Sequence, residues 1–305
     1  MNRGYIYVLL CYFLIGISYP IAKNAMNEIP IWIFTAVTFL MAFVMLYPFV
    51  RIVDKIKLSR IGPKVWLAVS VQSLLGAVLY TVFLLYGFES ATAIMASVFT
   101  SLAPAAVLTL SSIFLKEKLS VRKVLAIILA VAGVLVLTLP TADGSGQNTW
   151  LGILFLLLST LSTAGSVIAA NKLNVNLPPA TMAAGVCLTG LIFSLPMAIS
   201  QGTAFDWQSL SASNVTVMVY YAALVWALPY AFFFMGVTKI PASASGMAIA
   251  VVPLAASFFA IVFFGEKIHV TDCIALALVT LSIVAAEAAE TKPVSVTPTP
   301  SGTAA

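Results

Sequence analysis

Charge is scarce in this chain. Its 305 residues include 15 Lys and Arg and 10 Asp and Glu, 8% of the sequence, where a soluble globule carries about 25%. Too few polar side chains are present to cover a domain in water, so a soluble enzyme is excluded. Histidine is nearly missing, since His269 stands alone. There is no His-x-x-Glu-His pattern, no Gly-x-Ser-x-Gly elbow, no phosphate-binding P-loop and no paired mid-helix carboxylates. Metallohydrolase, serine hydrolase and ATP-driven pump chemistry therefore have no carriers. Cysteine is sparse too: Cys11, Cys187 and Cys273 fall in apolar runs at no metal-like spacing, and read as small buried hydrophobes. A net charge of +5 comes without a basic patch interleaved with aromatics, which excludes a nucleic-acid partner. No metal and no cofactor is implied.

Apolar residues are what the chain has in quantity, at 62% with a mean hydropathy of +1.09. Runs of about 20 such residues can each cross a bilayer as one helix. They occupy 4–23, 31–50, 65–87, 91–115, 121–139, 151–172, 180–200, 214–237, 242–264 and 270–287. The expected fold is an all-α polytopic membrane protein of ten transmembrane helices. Arg3 and the apolar run after it resemble a signal peptide, but no small-residue cleavage site follows, so a retained first helix is expected. Polar 141–149 reads as an external linker, and Pro/Thr/Ser-rich 288–305 as a disordered cytoplasmic tail.

The linker divides a duplication. Pro104 and Pro253, Glu117 and Glu266, and Gly87 and Gly236 recur at an offset of 149, whereas Ser18 and Ser166, and Pro30 and Pro178, recur at 148. Repeats of this kind define architecture. Five spans per copy (1–140 and 150–287) make the second copy enter the membrane from the opposite side. With a cytoplasmic N-terminus, all Lys and Arg except Lys23 and Lys267 fall on the inner side, as the positive-inside rule requires. Inverted repeats characterise secondary transporters, whose solute site lies between the halves near the midplane.

Three stretches carry a family resemblance. Residues 114–120 read F-L-K-E-K-L-S after a mid-helix Pro104, and a later helix closes on A-G-V-L-V-L at 132–137. Their counterpart is Pro253 followed by F-F-G-E-K-I-H at 263–269. The opening L-I-G-I-S-Y-P-I-A-K-N-A-M at 14–26 is similar to a W-G-s-x-[FY]-x-x-x-K signature. The chain thus resembles a doubled EamA domain of the drug/metabolite transporter (DMT) superfamily over about 4–287. It departs from the pattern at Ile15, where the family has Trp, and at Thr38, where it often has Arg. The resemblance implies a ten-helix fold and export or exchange of small metabolites, without specifying the solute.

Polar groups inside apolar spans mark candidate sites, because they should face other helices or a cavity. Tyr5, Tyr12, Gly16, Tyr19 and Lys23 share one face of the first helix, which Pro20 is expected to kink. An interfacial belt and a snorkelling Lys23 are the bland alternative. Glu28, the nearest carboxylate in sequence, lies beyond the helix, so Lys23 is not expected to have a fixed partner within its own helix and is expected to attract an anionic group on the solute. The third helix offers Gln72 and Tyr80 beside Gly76. Ser97, Ser101 and Pro104 in the fourth helix match Gly246, Ala250 and Pro253 in the ninth, as packing stripes or as a pair of gating prolines. Ser159, Ser162, Thr163 and Ser166 stripe the sixth helix and suggest cavity lining. Trp226, Tyr230 and Phe233 form an aromatic wall in the eighth, as a packed core or as a stacking surface.

The expected function is a secondary transporter, working by alternating access, for a small amphipathic metabolite such as an amino acid. Organic or quaternary ammonium cations are the alternative solutes, and a non-transporting receptor, a scaffold or an intramembrane enzyme the remote ones. The expected partners are the solute and the lipid bilayer. A bacterial inner membrane is the expected location, with both termini cytoplasmic, and monomer and homodimer both stay open.

Overall fold

Helices account for all regular structure among the described residues, which are 3–25, 29–114, 120–137, 149–173, 177–237 and 251–290 of a computed structural model. The first repeat supplies α1 (Arg3–Ala25), α2 (Ile31–Ile52), α3 (Pro63–Phe88), α4 (Ala93–Phe114) and α5 (Val121–Leu137). The second supplies α6 (Trp150–Leu173) and α7 (Pro179–Gly202). It continues with α8 (Ala212–Tyr221, Ala222–Ala227 and Leu228–Val237), α9 (Val251–Phe264) and α10 (Val270–Glu290). Six of these spans are long and apolar enough to cross a membrane, and three shorter apolar helices join them. At 22 residues, α2 is about 33 Å long, which matches a hydrocarbon core of about 30 Å.

The outer surface confirms the solvent. Leu40, Val44, Phe49, Ile128, Ile192, Leu254, Phe258 and Val262 all point outward and are exposed. Each would forgo about 1.5–3 kcal/mol if left in water, so hydrocarbon must cover them.

Helix contacts repeat the duplication. α1 packs on α8 and α9, and α6, its counterpart, packs on α3 and α4. α3 meets α7 as α8 meets α2, while α2·α7, α4·α9 and α5·α10 each pair a helix with its own counterpart. A pseudo-two-fold axis therefore relates two interleaved halves. Local features obey it as well. Pro30 and Pro178 open α2 and α7, accepting from Phe34 N–H at 3.0 Å and Met182 N–H at 2.9 Å. The Gln201 side chain, at the end of α7, accepts from Trp32 N–H at 3.1 Å. At the opposite ends of the same pair, Asp54 accepts from Thr181 N–H and Oγ1, both at 2.7 Å. Each helix of this pair thus satisfies the free N–H groups at the other's start.

Two irregular segments follow the same symmetry. Leu74–Leu79 in α3 and Ala222–Ala227 in α8 both wind as π-helix, at an offset of 148. Pro229 explains part of the second, because its missing N–H cannot close a regular turn. Sequence patterning gives no sign of either.

Parts of the sequence reading change. Cys11 and Cys187 are buried, but Cys273 is exposed, because it sits in the first turn of α10, away from Ala275 and Val279, which face α5. The expected tail also starts later, since α10 continues to Glu290. Most of the linker, the rest of the tail, Glu117, Lys118, Gly246 and Ala250 lie outside the described residues. Thr149, at the linker's end, donates its N–H to the Ser90 carbonyl at 2.9 Å.

A tyrosine and tryptophan site between the repeats

Helix α1 is central because glycine lets it approach closely. A Cβ built on Gly16 would sit 2.6 Å from the Val252 carbonyl oxygen and 2.8 Å from Ala255 Cβ. With α9 drawn in on one side, the next turn of α1 carries Tyr19 into the core, where it is fully buried. Its hydroxyl lies 2.9 Å from the Tyr80 hydroxyl of α3 and 2.5 Å from Thr100 Oγ1 of α4. Its ring meets Phe88 edge-on at 5.8 Å. Tyr12, two turns back, is half-buried against the same core.

On the far side, α8 contributes Trp226 and Tyr230, with ring centroids 6.0 Å apart. Trp226 also lies 4.6 Å from Phe39 of α2. Tyr230 and Tyr80 pack against the same buried core, so a polar and aromatic strip runs from Trp226 and Tyr230 of α8 on one side to Tyr80, Tyr19 and Thr100 of α3, α1 and α4 on the other. Trp226 is 3% exposed, yet its indole N–H has no partner. An unpaired buried donor costs about 1–3 kcal/mol, which an acceptor on a ligand would remove. The donor sits in the π segment of α8, and such segments recur at functional sites. On the other side of that segment, Ala223, Leu224 and Ala227 line an apolar hollow of about 640 Å³ between α2, α7 and α8.

The hydroxyl stripes behave differently. Ser97 donates to Ile94 O and Ser101 to Ser97 O, both within α4. On α6, Ser159 donates to the Tyr80 carbonyl at 3.0 Å and Thr160 to Phe99 O at 2.9 Å, while Ser166 turns back to Thr163 O. These hydroxyls hold helices together and satisfy carbonyls. Ser162 is buried without being drawn into that pattern, and Gln72 is half-buried on α3. Pro104 breaks α4 at Leu102, where Leu102 N–H closes a tighter turn onto Phe99 O at 3.0 Å. Thr160 supports the same carbonyl. Pro253 is buried in the first turn of the described part of α9, next to the Val252 carbonyl that Gly16 accommodates.

Lys23 has no partner on its own helix among the described residues but pairs across the repeats with Glu266, whose Oε1 accepts from Nζ at 2.7 Å. The partner comes from the other repeat, 243 residues away, where proximity in sequence could not have located it. The same oxygen accepts from Ala93 N–H, the first of α4, at 3.2 Å. Glu266 thus caps the start of α4 as well as pairing with Lys23. Thr100, Phe39 and the unpaired indole N–H are further features that residue patterns left unmarked. Among the described residues no group of His, Cys, Asp and Glu could hold a metal ion.

An interleaved ten-span bundle with an uncharged aromatic strip drawn from both repeats is an architecture suited to a membrane transporter. The model of the EamA-like transporter family matches residues 2–139 and 150–286, one block per repeat, and the chain belongs to that family. A protein called an uncharacterized transporter, YetK, from Bacillus subtilis is 28% identical over 87% of this chain and 81% of its own length. A chloroplastic WAT1-related protein of Arabidopsis thaliana is 24% identical, covering 73% of this chain and 55% of its own length. A solved crystal structure at 18% identity superposes over 94% of this chain and 97% of its own with a TM-score of 0.66, which shows the fold.

Proposed function

We propose that this transporter moves a small amphipathic metabolite such as an amino acid, as an exporter or exchanger, by alternating access without nucleotide or metal. The observation that carries the reading is the strip from Trp226 to Thr100. Its rings suit an apolar side chain, its hydroxyls suit a polar backbone, and the unpaired indole N–H suits a carboxylate or carbonyl oxygen. The matching π segments in α3 and α8 and the break in α4 at Pro104 are the points where helices can bend. A second reading, transport of organic cations, gains from one feature. Glu266 neutralises Lys23, which removes the repulsion a cation would otherwise meet there.

Purified protein in vesicles loaded with unlabelled phenylalanine should take up labelled phenylalanine saturably and ignore tetraethylammonium. Uptake of tetraethylammonium alone would favour the cation reading, and movement of neither would refute the assignment to these solutes. The location in a bacterial inner membrane, with cytoplasmic termini, has its own measurement. In cells carrying Cys273→Ser, an impermeant maleimide should label Gly144→Cys from outside and spare Ser59→Cys. The reverse pattern would invert the topology.

A further inference from the structure

Gly265 ends α9 with φ +66°, in the left-handed region that glycine alone enters freely. The next N–H, of Glu266, donates back to Ala260 O at 3.0 Å, and the carboxylate is carried off the end of α9 toward the first repeat. One oxygen there binds both Lys23 of α1 and the first N–H of α4. One turn deeper, α1 and α4 meet again through Tyr19 and Thr100. The seam between these helices is thus closed at two levels, and the upper closure depends on a residue of the opposite repeat.

That closure is specific but poorly compensated. Glu266 Oε2 is buried with no partner, and the two side chains of the pair are 25% and 11% exposed. A partly buried ion pair offsets its desolvation only if its remaining lone pairs are satisfied. Here one oxygen is left over, so separating the pair and returning both groups to water costs little. Specific geometry combined with a small energetic bias is what an element with two arrangements needs.

We propose that Lys23, Glu266 and the N-terminus of α4 form a clasp that shuts one mouth of the transport pathway, and that the ion pair separates each time that mouth opens. The clasp rests on the alternating-access reading above. It makes Glu266 a positioning residue for α4, acting through the helix and not on the solute.

The test needs no solute. Full-length protein carrying Cys273→Ser and the reporter Ser97→Cys, one turn into α4, is labelled in vesicles with an impermeant maleimide. Glu266→Gln and Lys23→Gln should each speed reporter labelling about tenfold, the scale of a modest population shift, and the double variant should add nothing further. Gly265→Ala keeps both charges but displaces Glu266, and should speed labelling as well. Unchanged labelling in Glu266→Gln, additive effects in the double variant, or an equal rise at buried Cys187 of α7 would each overturn the clasp. Failure of the transport reading is separate, because it shows as an unchanged protein that moves no solute.

Discussion

Trp226→Phe should leave the fold intact and weaken binding of carboxylate-bearing solutes by about 1.5–3 kcal/mol, the worth of a hydrogen bond to a charged group. The ring that packs 4.6 Å from Phe39 and 6.0 Å from Tyr230 is preserved in outline, so only the donor is lost. Trp226→Ala removes the ring as well and should cost about 3–5 kcal/mol of stability, a large part of the roughly 5–15 kcal/mol of a typical domain. Titration of labelled phenylalanine against its amide, combined with thermal unfolding in detergent, separates the two effects. Equal affinity in the wild type and Trp226→Phe would show that the indole N–H reads no acceptor, and stacking alone would then favour organic cations.

Gly16→Ala should be among the most damaging single-methyl changes in the chain. The added Cβ meets a backbone oxygen, Val252 O, at 2.6 Å and the Ala255 methyl at 2.8 Å. Neither can rotate away, so α1 must move off α9, and overpacking of this kind costs about 1–3 kcal/mol or more. Tyr19 and Lys23, on the next two turns, move with the helix, so solute transport should fall together with the unfolding temperature. Gly62→Ala is the matched control, because a Cβ added there would meet nothing within 4 Å. An unfolding temperature for Gly16→Ala equal to that of Gly62→Ala would show that α1 and α9 are not held at this contact.

The spans were legible because hydrocarbon permits only helices with satisfied backbones, so apolar length alone located α2 and α7 to within a few residues. The duplication was legible because Pro30 and Pro178 open their helices for the same local reason. Along α1, the 3.6-residue period placed Tyr12, Tyr19 and Lys23 on one face. Periodicity says which residues share a helix face but not what that face meets. The α6 hydroxyls illustrate the limit: the stripe of Ser159, Ser162, Thr163 and Ser166 was legible, but not that Ser159 donates to the Tyr80 carbonyl of α3.

Partner choice across the repeats belonged to the tertiary structure. Lys23 pairs with Glu266, Trp32 N–H with Gln201, and Thr181 with Asp54, over separations that no local rule spans. The π segments at Leu74–Leu79 and Ala222–Ala227 belong here too, since apolar periodicity runs through both unmarked and Pro229 accounts for only part of the second. Sequence determined which groups must avoid lipid, because the bilayer offers them no hydrogen bonds. Only the interleaving of the two halves decided which of those groups meet, because the starts of α2, α4 and α7 are completed by side chains of the other repeat.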